Sequence, residues 1–599
     1  MRDKLYGNTI LQLLLRAVIC LIVVAGMFCC TTPETPLNAE EPDSSAVTRI
    51  VRPAFLSDDH TWADSILKTM TLDEKIGQLI MVRAYSNQGY RHRKDIEKQI
   101  EKYGVGGLIF FQGGPGRQAI LTNRYQSISK IPLFIAMDGE WGLGMRLDSV
   151  LSYPYQMTLG AIQDDQLIKS MAEDMGQQFR RLGVQWNLAP VVDVNNNANN
   201  PVINYRSFGE DKYNVVLKSQ QYIAGLEKQR ILTALKHFPG HGDTSTDSHK
   251  ALPVIDHELG RLENIELFPF IQLIQKGALA VMVGHLSVPA LDSTQKYPTS
   301  LSKTVINELL KNEMGFEGLV ISDAMDMRGL TDYVEKDSAE VLALLAGNDI
   351  IELVEDVEFA VQSIKKAVLT NKIPASEIDQ KCRKVLLAKY WTGLFKKSPV
   401  ALENLYKDLN DSAFVTLISE LYRRSITLLE NKDSVLNNLT LGDRSVAVIS
   451  VGSGRASPFA KNVADTLRTR PLVLPRYASH NHTMELRKNI EKADYVLLSL
   501  HQISRQSGVK PGYGKNTRAV IEELLGRHNV VLVSFRNPYV LSHIKNVEKA
   551  RVVLLTYQDN EVTQNTVLEI FNGNWRISGK LPVTINDNWR AGHGITLEK

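Results

Sequence analysis

From about residue 60 to residue 395 the chain repeats one pattern: a short, almost unbroken apolar run ending in polar or glycine-rich residues, then a longer stretch with helical periodicity. Eight such runs are present: IGQLIMVRAY (76–85), VGGLIFFQGG (105–114), IPLFIAMDGE (131–140), VQWNLAPVVDV (184–194), ILTALKHFPGHG (231–242), ALAVMVGHLSVP (278–289), GLVISDAMDM (318–327) and NDIIEL (348–353). A strand covered on both faces shows no polar alternation, so these runs predict parallel strands roofed by helices. Eight of them predict an α/β fold, a (β/α)8 barrel of the TIM type over residues 61–395. The first run is ambiguous, because Thr71 and Glu74 have capping-box spacing and IGQLIM can continue the helix they open. A barrel with one irregular strand would follow.

After a helical, charged connection over 396–430, the alternation resumes with SVAVISVG (445–452), ADYVLLSLH (493–501), NVVLVSFRNP (529–538) and ARVVLLTY (550–557). These predict a second α/β unit over 431–599, a three-layer sandwich of five or six strands that closes on the extended SGKLPVTI. At the other end, AVICLIVVAGMF (17–28) lies behind Arg2, Lys4 and Arg16 and is short for a membrane span, which suits a secretory signal over 1–30. It ends at Cys29-Cys30 and passes into a polar, proline-bearing tether over 31–60, the pattern of a bacterial lipoprotein signal. Phe28 stands where a small residue normally precedes the lipidated cysteine, so lipidation, ordinary cleavage and an uncleaved anchor stay open. Export to the periplasm or cell envelope is expected in each case, with membrane attachment where a lipid or signal anchor is kept. Only Cys382 of the four cysteines lies beyond this leader, which excludes a disulfide framework. With 69 basic against 66 acidic residues and no basic patch, nothing calls for a nucleic-acid partner.

In a barrel of this kind the C-terminal strand ends line the active site. Here they are polar: Asp138-Gly139-Glu140 after run three, Asn204 to Gly209 beyond run four, Lys236 to His241 after run five and Ser322-Asp323 after run seven. The loop KHFPGHGDTSTDSH gathers Lys236, His237, His241, Asp243, Asp247 and His249, and two readings of it compete. As metal ligands these residues would need partners from other strands, and His285 is the one well-placed candidate. As an acid/base pair, Asp247 and His249 lie two apart, so that on an extended loop the carboxylate faces and polarises the imidazole. Asp323 at its strand end is open to the roles of nucleophile, base or helix N-cap.

The segments MTLDEKIGQ (70–78), KHFPGHG (236–242), DSH (247–249) and SDAMDM (322–327), in that order and spacing, resemble glycoside hydrolase family 3 in its bacterial β-N-acetylglucosaminidase (β-hexosaminidase) branch. The C-terminal unit is similar to the sandwich that follows the barrel in many members. The resemblance implies a retaining exo-hydrolase for terminal β-linked N-acetylhexosamine on glycans such as muropeptides, working without metal or cofactor. It places Asp323 as nucleophile and His249, paired with Asp247, as acid/base, a departure from the two carboxylates of most glycosidases. It also implies that Asp138, Arg146, Arg206, Lys236 and His237 hold the sugar. The alternative for Arg206 and Lys236 is an ion pair with a neighbouring Asp. The chain reads D-G-E-W-G at 138–142 where the branch usually reads D-Q-E-G-G, so Trp141 is expected to narrow the cleft or stack within it.

Three rival functions remain on the same residues: a β-glucosidase-type exo-glycosidase, a phosphorylase, since a histidine acid/base does not repel incoming phosphate, and a non-catalytic surface glycan-binding protein. The last would be marked by loss of Asp323 or of the DSH triplet, and both are intact. Gly452-Ser453-Gly454 lacks the third glycine of a dinucleotide turn, and Ser65-Ile66-Leu67-Lys68 lacks the companion motifs of a β-lactamase.

Overall fold

The computed structural model describes residues 50–598 except 295, 333, 335–338, 437–444, 502–511, 574 and 575. The leader run, Cys29, Cys30 and the first part of the tether lie outside the described residues.

The barrel strands are β1 (Ile80–Ala84), β2 (Gly107–Phe110), β3 (Phe134–Met137), β4 (Trp186–Asn187), β5 (Leu232–Thr233), β6 (Leu235–Phe238), β7 (Ala280–Val283), β8 (Leu319–Ser322) and β9 (Ile351–Glu352). β5 and β6 occupy one barrel position, interrupted at Ala234, whose N–H donates to the Ala189 carbonyl at 2.9 Å. All pairing is parallel, in the orders β5-β4-β3-β2-β1-β9 and β6-β7-β8, and the parallel bridges Val191–Lys236 and Ile321–Ile350 join the two arcs. A helix follows each position: Tyr90–Tyr103, Pro115–Ile128, Asp165–Leu182, Lys212–Lys228, Phe268–Gln275, Thr304–Glu313, Ala339–Ala346 and Val357–Leu369. Covered by helices outside and by one another inside, β2, β3, β7 and β8 are buried at every residue, which is why they read as continuous apolar runs.

The ambiguity of the first run resolves into both elements. Thr71 and Glu74 form a capping box, with the Thr71 N–H on Glu74 Oε2 at 2.8 Å, but the helix it opens, Leu72–Gly77, ends before β1 begins. β1 is regularly paired on both sides. The fourth strand is irregular too: continuous pairing covers only Trp186–Asn187, and the buried stretch 188–194 keeps a single isolated bridge, Val191–Lys236. Pro190 sits in that stretch and has no N–H to give a neighbouring strand.

Residues 50–60, expected within the tether, are instead seated on the barrel. Val51 N–H donates to the Gln275 carbonyl at 3.0 Å, and Phe55, in the short 3-10 turn Ala54–Leu56, is fully buried.

The second unit has a six-stranded sheet of β10 (Thr427–Asn431), β11 (Val446–Gly452), β12 (Leu472–Pro475), β13 (Tyr495–Leu500), β14 (Asn529–Ser534) and β15 (Val552–Leu555), in the order β10-β15-β14-β13-β11-β12. Every pair is parallel except β10–β15. Successive residues pack on opposite sides, Val448, Leu497 and Val531 into one core and Ile449, Leu498 and Leu532 into the other, as a three-layer sandwich requires. β10 starts inside the stretch read as a helical connection, directly after the helix Ser412–Ser425. SGKLPVTI forms no strand; Leu581, Val583 and Ile585 instead pack into the sandwich core. Among the described residues no helix is long and apolar enough to cross a membrane.

Candidate active site

β3 and β6 deliver the charged floor of the barrel mouth. Lys236, with a side chain 2% exposed, places Nζ 2.9 Å from Asp138 Oδ1 and 3.0 Å from Glu140 Oε1. Arg146 pairs with the other oxygen of Asp138, and Arg206 forks onto Glu140 with Nη2–Oε1 2.7 Å and Nε–Oε2 3.0 Å. Burial would raise both carboxyls, but Lys236 and Arg146 hold Asp138 well below the usual range, and Arg206 with Lys236 holds Glu140 at about 2. Burial likewise works against the cations, and their carboxylate partners hold Arg206 and Lys236 charged. Lys236 thus forms an ion pair with an aspartate, Asp138, whereas Arg206 pairs with a glutamate, Glu140; the side chains of Asp138 and Arg146 keep partial exposure. Glu140, the hub of this network, stands among the polar strand ends in the sequence, but nothing local marks its pairing, because its partners lie 66 and 96 positions away.

His237 is set by a second buried carboxylate that the sequence did not reveal. Asp193, from the irregular stretch after β4, accepts the His237 N–H at 3.1 Å and the His241 N–H at 2.7 Å on Oδ1, and lies 2.8 Å from His237 Nδ1 through Oδ2. Burial opposes the Asp193 charge, but His237 and His241 keep its carboxyl low. A carboxylate on Nδ1 fixes the orientation and tautomer of the ring. The glycines of HFPGHG permit this packing: Gly240 has φ 133°, and a Cβ on Gly242 would lie 1.8 Å from the Val194 carbonyl oxygen.

Asp323 follows β8 and leads no helix, since the next one, Arg328–Thr331, begins after Met327; the N-cap role is excluded. Its Oδ1 accepts the Ala324 N–H at 2.8 Å. Burial would raise its carboxyl, but His285, His237, that N–H and His249 together hold it below the usual range, so it is a carboxylate at neutral pH within electrostatic reach of His237 and His249. His285 Nε2 lies 2.9 Å from the Ala324 carbonyl, which can only accept, and Nδ1 lies 2.6 Å from Ser300 Oγ. Burial pushes His285 below its ordinary value, and its Nε2, which donates to that carbonyl, pins the turn behind Asp323.

Asp247 and His249 meet in a turn rather than on an extended loop. The Asp247 carbonyl accepts from Lys250 and Ala251 N–H, and Asp247 Oδ1 accepts the His249 N–H at 3.0 Å while standing 3.1 Å from Nδ1. An aspartate that bonds the backbone two residues on favours such a turn over extension. The imidazole is largely exposed at the rim.

The metal reading fares poorly on its own donors. Both ring nitrogens of His241 are engaged, with Thr244 Oγ1 at 2.7 Å and Ser248 Oγ at 3.2 Å, as are both of His285. Asp243, His257 and Glu266 do cluster, but Arg261 reaches in among them, 2.5 Å from Glu266 Oε2 and 3.8 Å from Asp243 Oδ2.

At the rim, Trp141 joins Tyr155 and Tyr205, with ring centroids 4.7 Å and 6.0 Å away. The sandwich secures the loops that carry these rings. Gln558 Oε1 accepts from Tyr155 N–H and Thr158 Oγ1, both at 2.8 Å, and Tyr539 Oη accepts from Asn195 Nδ2 at 2.8 Å.

The family profile described as the glycosyl hydrolase family 3 N terminal domain matches residues 71–388, more than half of the chain. The chain belongs to glycosyl hydrolase family 3. It is 27% identical over 605 residues to "Beta-hexosaminidase A" of Pseudoalteromonas piscicida, covering 89% of this chain and 100% of that relative. It is 32% identical over 372 residues to "Beta-hexosaminidase LpqI" of Mycobacterium tuberculosis, covering 60% of this chain and 89% of the relative. The solved glycoside hydrolase family 3 β-N-acetylglucosaminidase of Paenibacillus sp. str. FPU-7 superposes with a TM-score of 0.73 at 27% identity, over 86% of this chain and 99% of that one. This family 3 member is therefore a glycoside hydrolase built as a barrel with an α/β sandwich behind it.

Proposed function

We propose that the barrel is a retaining, exo-acting β-N-acetylglucosaminidase that removes terminal β-linked N-acetylhexosamine from glycans, peptidoglycan fragments among them. The observation that carries this reading is a low-lying carboxylate, Asp323, in the same mouth as a carboxylate-held imidazole, His249, beside the fixed array of Asp138, Arg146, Lys236 and His237. Its named relatives act on the same substrate class. Asp323 attacks the anomeric carbon and forms a glycosyl ester. With Nδ1 facing Asp247, His249 uses Nε2 to protonate the departing oxygen; in the second step Nε2 takes a proton from water, which opens the ester. Asp247 steadies the ring and its transient charge. Asp138 and Arg146 present directional hydrogen bonds to sugar hydroxyls, and Lys236 and Glu140 keep that pair in place. Export, with attachment to the cell envelope through the N-terminal leader, fits a substrate found outside the cytoplasm.

Asp323→Ala is expected to abolish release from a chromogenic β-N-acetylglucosaminide. His249→Ala is expected to slow poor leaving groups and turnover of the ester. Matching assays with a β-glucoside, and for sugar 1-phosphate in phosphate buffer, separate the glucosidase and phosphorylase rivals. Full activity of Asp323→Ala ends the proposal.

A further inference from the structure

β9 closes the barrel beside the strand that carries Asp323, and it ends on a carboxyl that the chemistry above does not use. The parallel bridge Ile321–Ile350 sets the register, so that two residues on, Asp323 and Glu352 stand side by side on the same face of neighbouring strands. Two contacts lock that placement: the Glu352 N–H donates to Ser322 Oγ at 3.2 Å, and the Glu352 carbonyl accepts the Met325 N–H at 3.0 Å. Glu352 is only 4% exposed, and its Oε2 is buried without a hydrogen-bond partner. The cations nearby are committed elsewhere, Lys236 to Asp138 and Glu140, and Arg83 to both oxygens of Asp326 at 2.7 and 3.3 Å. Burial, reinforced by the charges of Asp323 and Asp138, raises the Glu352 carboxyl well above the ordinary range, which favours its uncharged form. A buried polar group with no partner costs free energy, and at the floor of a binding site the missing partner is supplied by the ligand.

We propose that Glu352 is a substrate-contacting, specificity-determining residue: its buried, unpartnered carboxyl hydrogen-bonds a hydroxyl of the sugar held against Asp323. The inference rests on the reading of the barrel mouth as the sugar site with Asp323 as nucleophile. A neutral acid is the one form of this side chain that adds a donor there without placing a second negative charge beside the attacking carboxylate. It also makes that hydroxyl a requirement, since a sugar lacking it leaves the acid unpaired.

The test compares Glu352→Gln, which keeps a donor of the same reach, with Glu352→Leu, which keeps the volume and removes the hydrogen bond. Glu352→Asp, which withdraws the carboxyl by one methylene, serves if the leucine variant does not fold. Each is assayed on a chromogenic β-N-acetylglucosaminide and on its monodeoxy analogues, with thermal unfolding run alongside. Glutamine is expected to stay within about threefold of the parent in kcat/KM, whereas leucine or aspartate loses about tenfold. In the parent one deoxy analogue is penalised, and that penalty disappears in the leucine or aspartate variant. A purely structural role would move stability without erasing discrimination at one hydroxyl. Equal losses in glutamine and leucine, or an unchanged penalty for every deoxy analogue, overturn the proposal. Labelling of Asp323 by a slow fluorinated glycoside in the parent enzyme reports separately on the underlying reading.

Discussion

Glu140 offers the sharpest energetic test of the charged floor. Its side chain has no exposure, and it accepts the Arg206 fork at 2.7 and 3.0 Å as well as Lys236 Nζ at 3.0 Å. Glu140→Gln keeps the shape and removes the charge that balances two buried cations. Breaking a buried pair by removing one partner costs about 3–5 kcal/mol, and Asp138 still serves Lys236, which points to the lower end. The carboxyl's own titration leads to the same size: a fall from an ordinary 4.5 to about 2 corresponds to about 3 kcal/mol. Because the folded-state value is the lower one, this stability is fully present above an ordinary glutamate's range and is lost as pH falls toward about 2. Chemical unfolding of the barrel transition should therefore separate wild type from Glu140→Gln by about 3 kcal/mol at pH 7 and by less than about half of that near pH 3. A difference under about 1 kcal/mol at pH 7, or one unchanged between the two pH values, refutes the reasoning. The same variant is expected to lose kcat/KM, because Arg206 and Lys236 lose the carboxylate that fixes them beside Asp138.

Two further outcomes follow from the geometry. Asp193→Asn puts an amide N–H against His237 Nδ1, where the carboxylate oxygen stood at 2.8 Å, and so forces the other tautomer; kcat/KM should fall about 100-fold or more with little change in thermal stability, and an unaffected rate removes the orienting role of Asp193. Lys389, fully buried with Nζ on Gln78 Oε1 at 2.6 Å, is pushed down by burial from an ordinary 10.5 to about 7. The unfolded chain then binds more protons between about 7 and 10.5, so stability rises with pH across that interval. Lys389→Met should stabilise the barrel by about 2 kcal/mol near pH 7, despite leaving Gln78 without its donor, with the gain shrinking toward pH 10; unfolding midpoints at the two pH values decide it.

The barrel was legible because a strand buried on both faces leaves a mark in one short stretch of chain. Where the mark failed, a local feature explains it. The run 184–194 is buried throughout but contains Pro190, so burial continued beyond the two paired residues. β10 carries Glu430 and Asn431 and abuts a helix without a break, and β12 is four residues ending in Pro475, so neither shows a parallel-strand pattern. The site divides in the same way. Lys236, His237, Asp247 and His249 stand within fourteen residues and announce themselves together. Glu140 and Asp193 act through partners elsewhere in the barrel, and Glu352 is placed by its register with the neighbouring strand, at separations that no local pattern encodes. The turn at Asp247–His249 was misread as extended because spacing reports which residues are near one another and not the backbone path between them.

The central claim is that Asp323 bonds to the anomeric carbon. Incubation with a slow fluorinated glycoside, followed by intact mass measurement and peptide mapping, tests it directly. One added glycosyl unit, mapped to the peptide containing Ser322-Asp323-Ala324 and absent from Asp323→Ala, is the predicted result; an adduct on Asp138, Glu352 or any other carboxyl, or turnover with no covalent species, would contradict it.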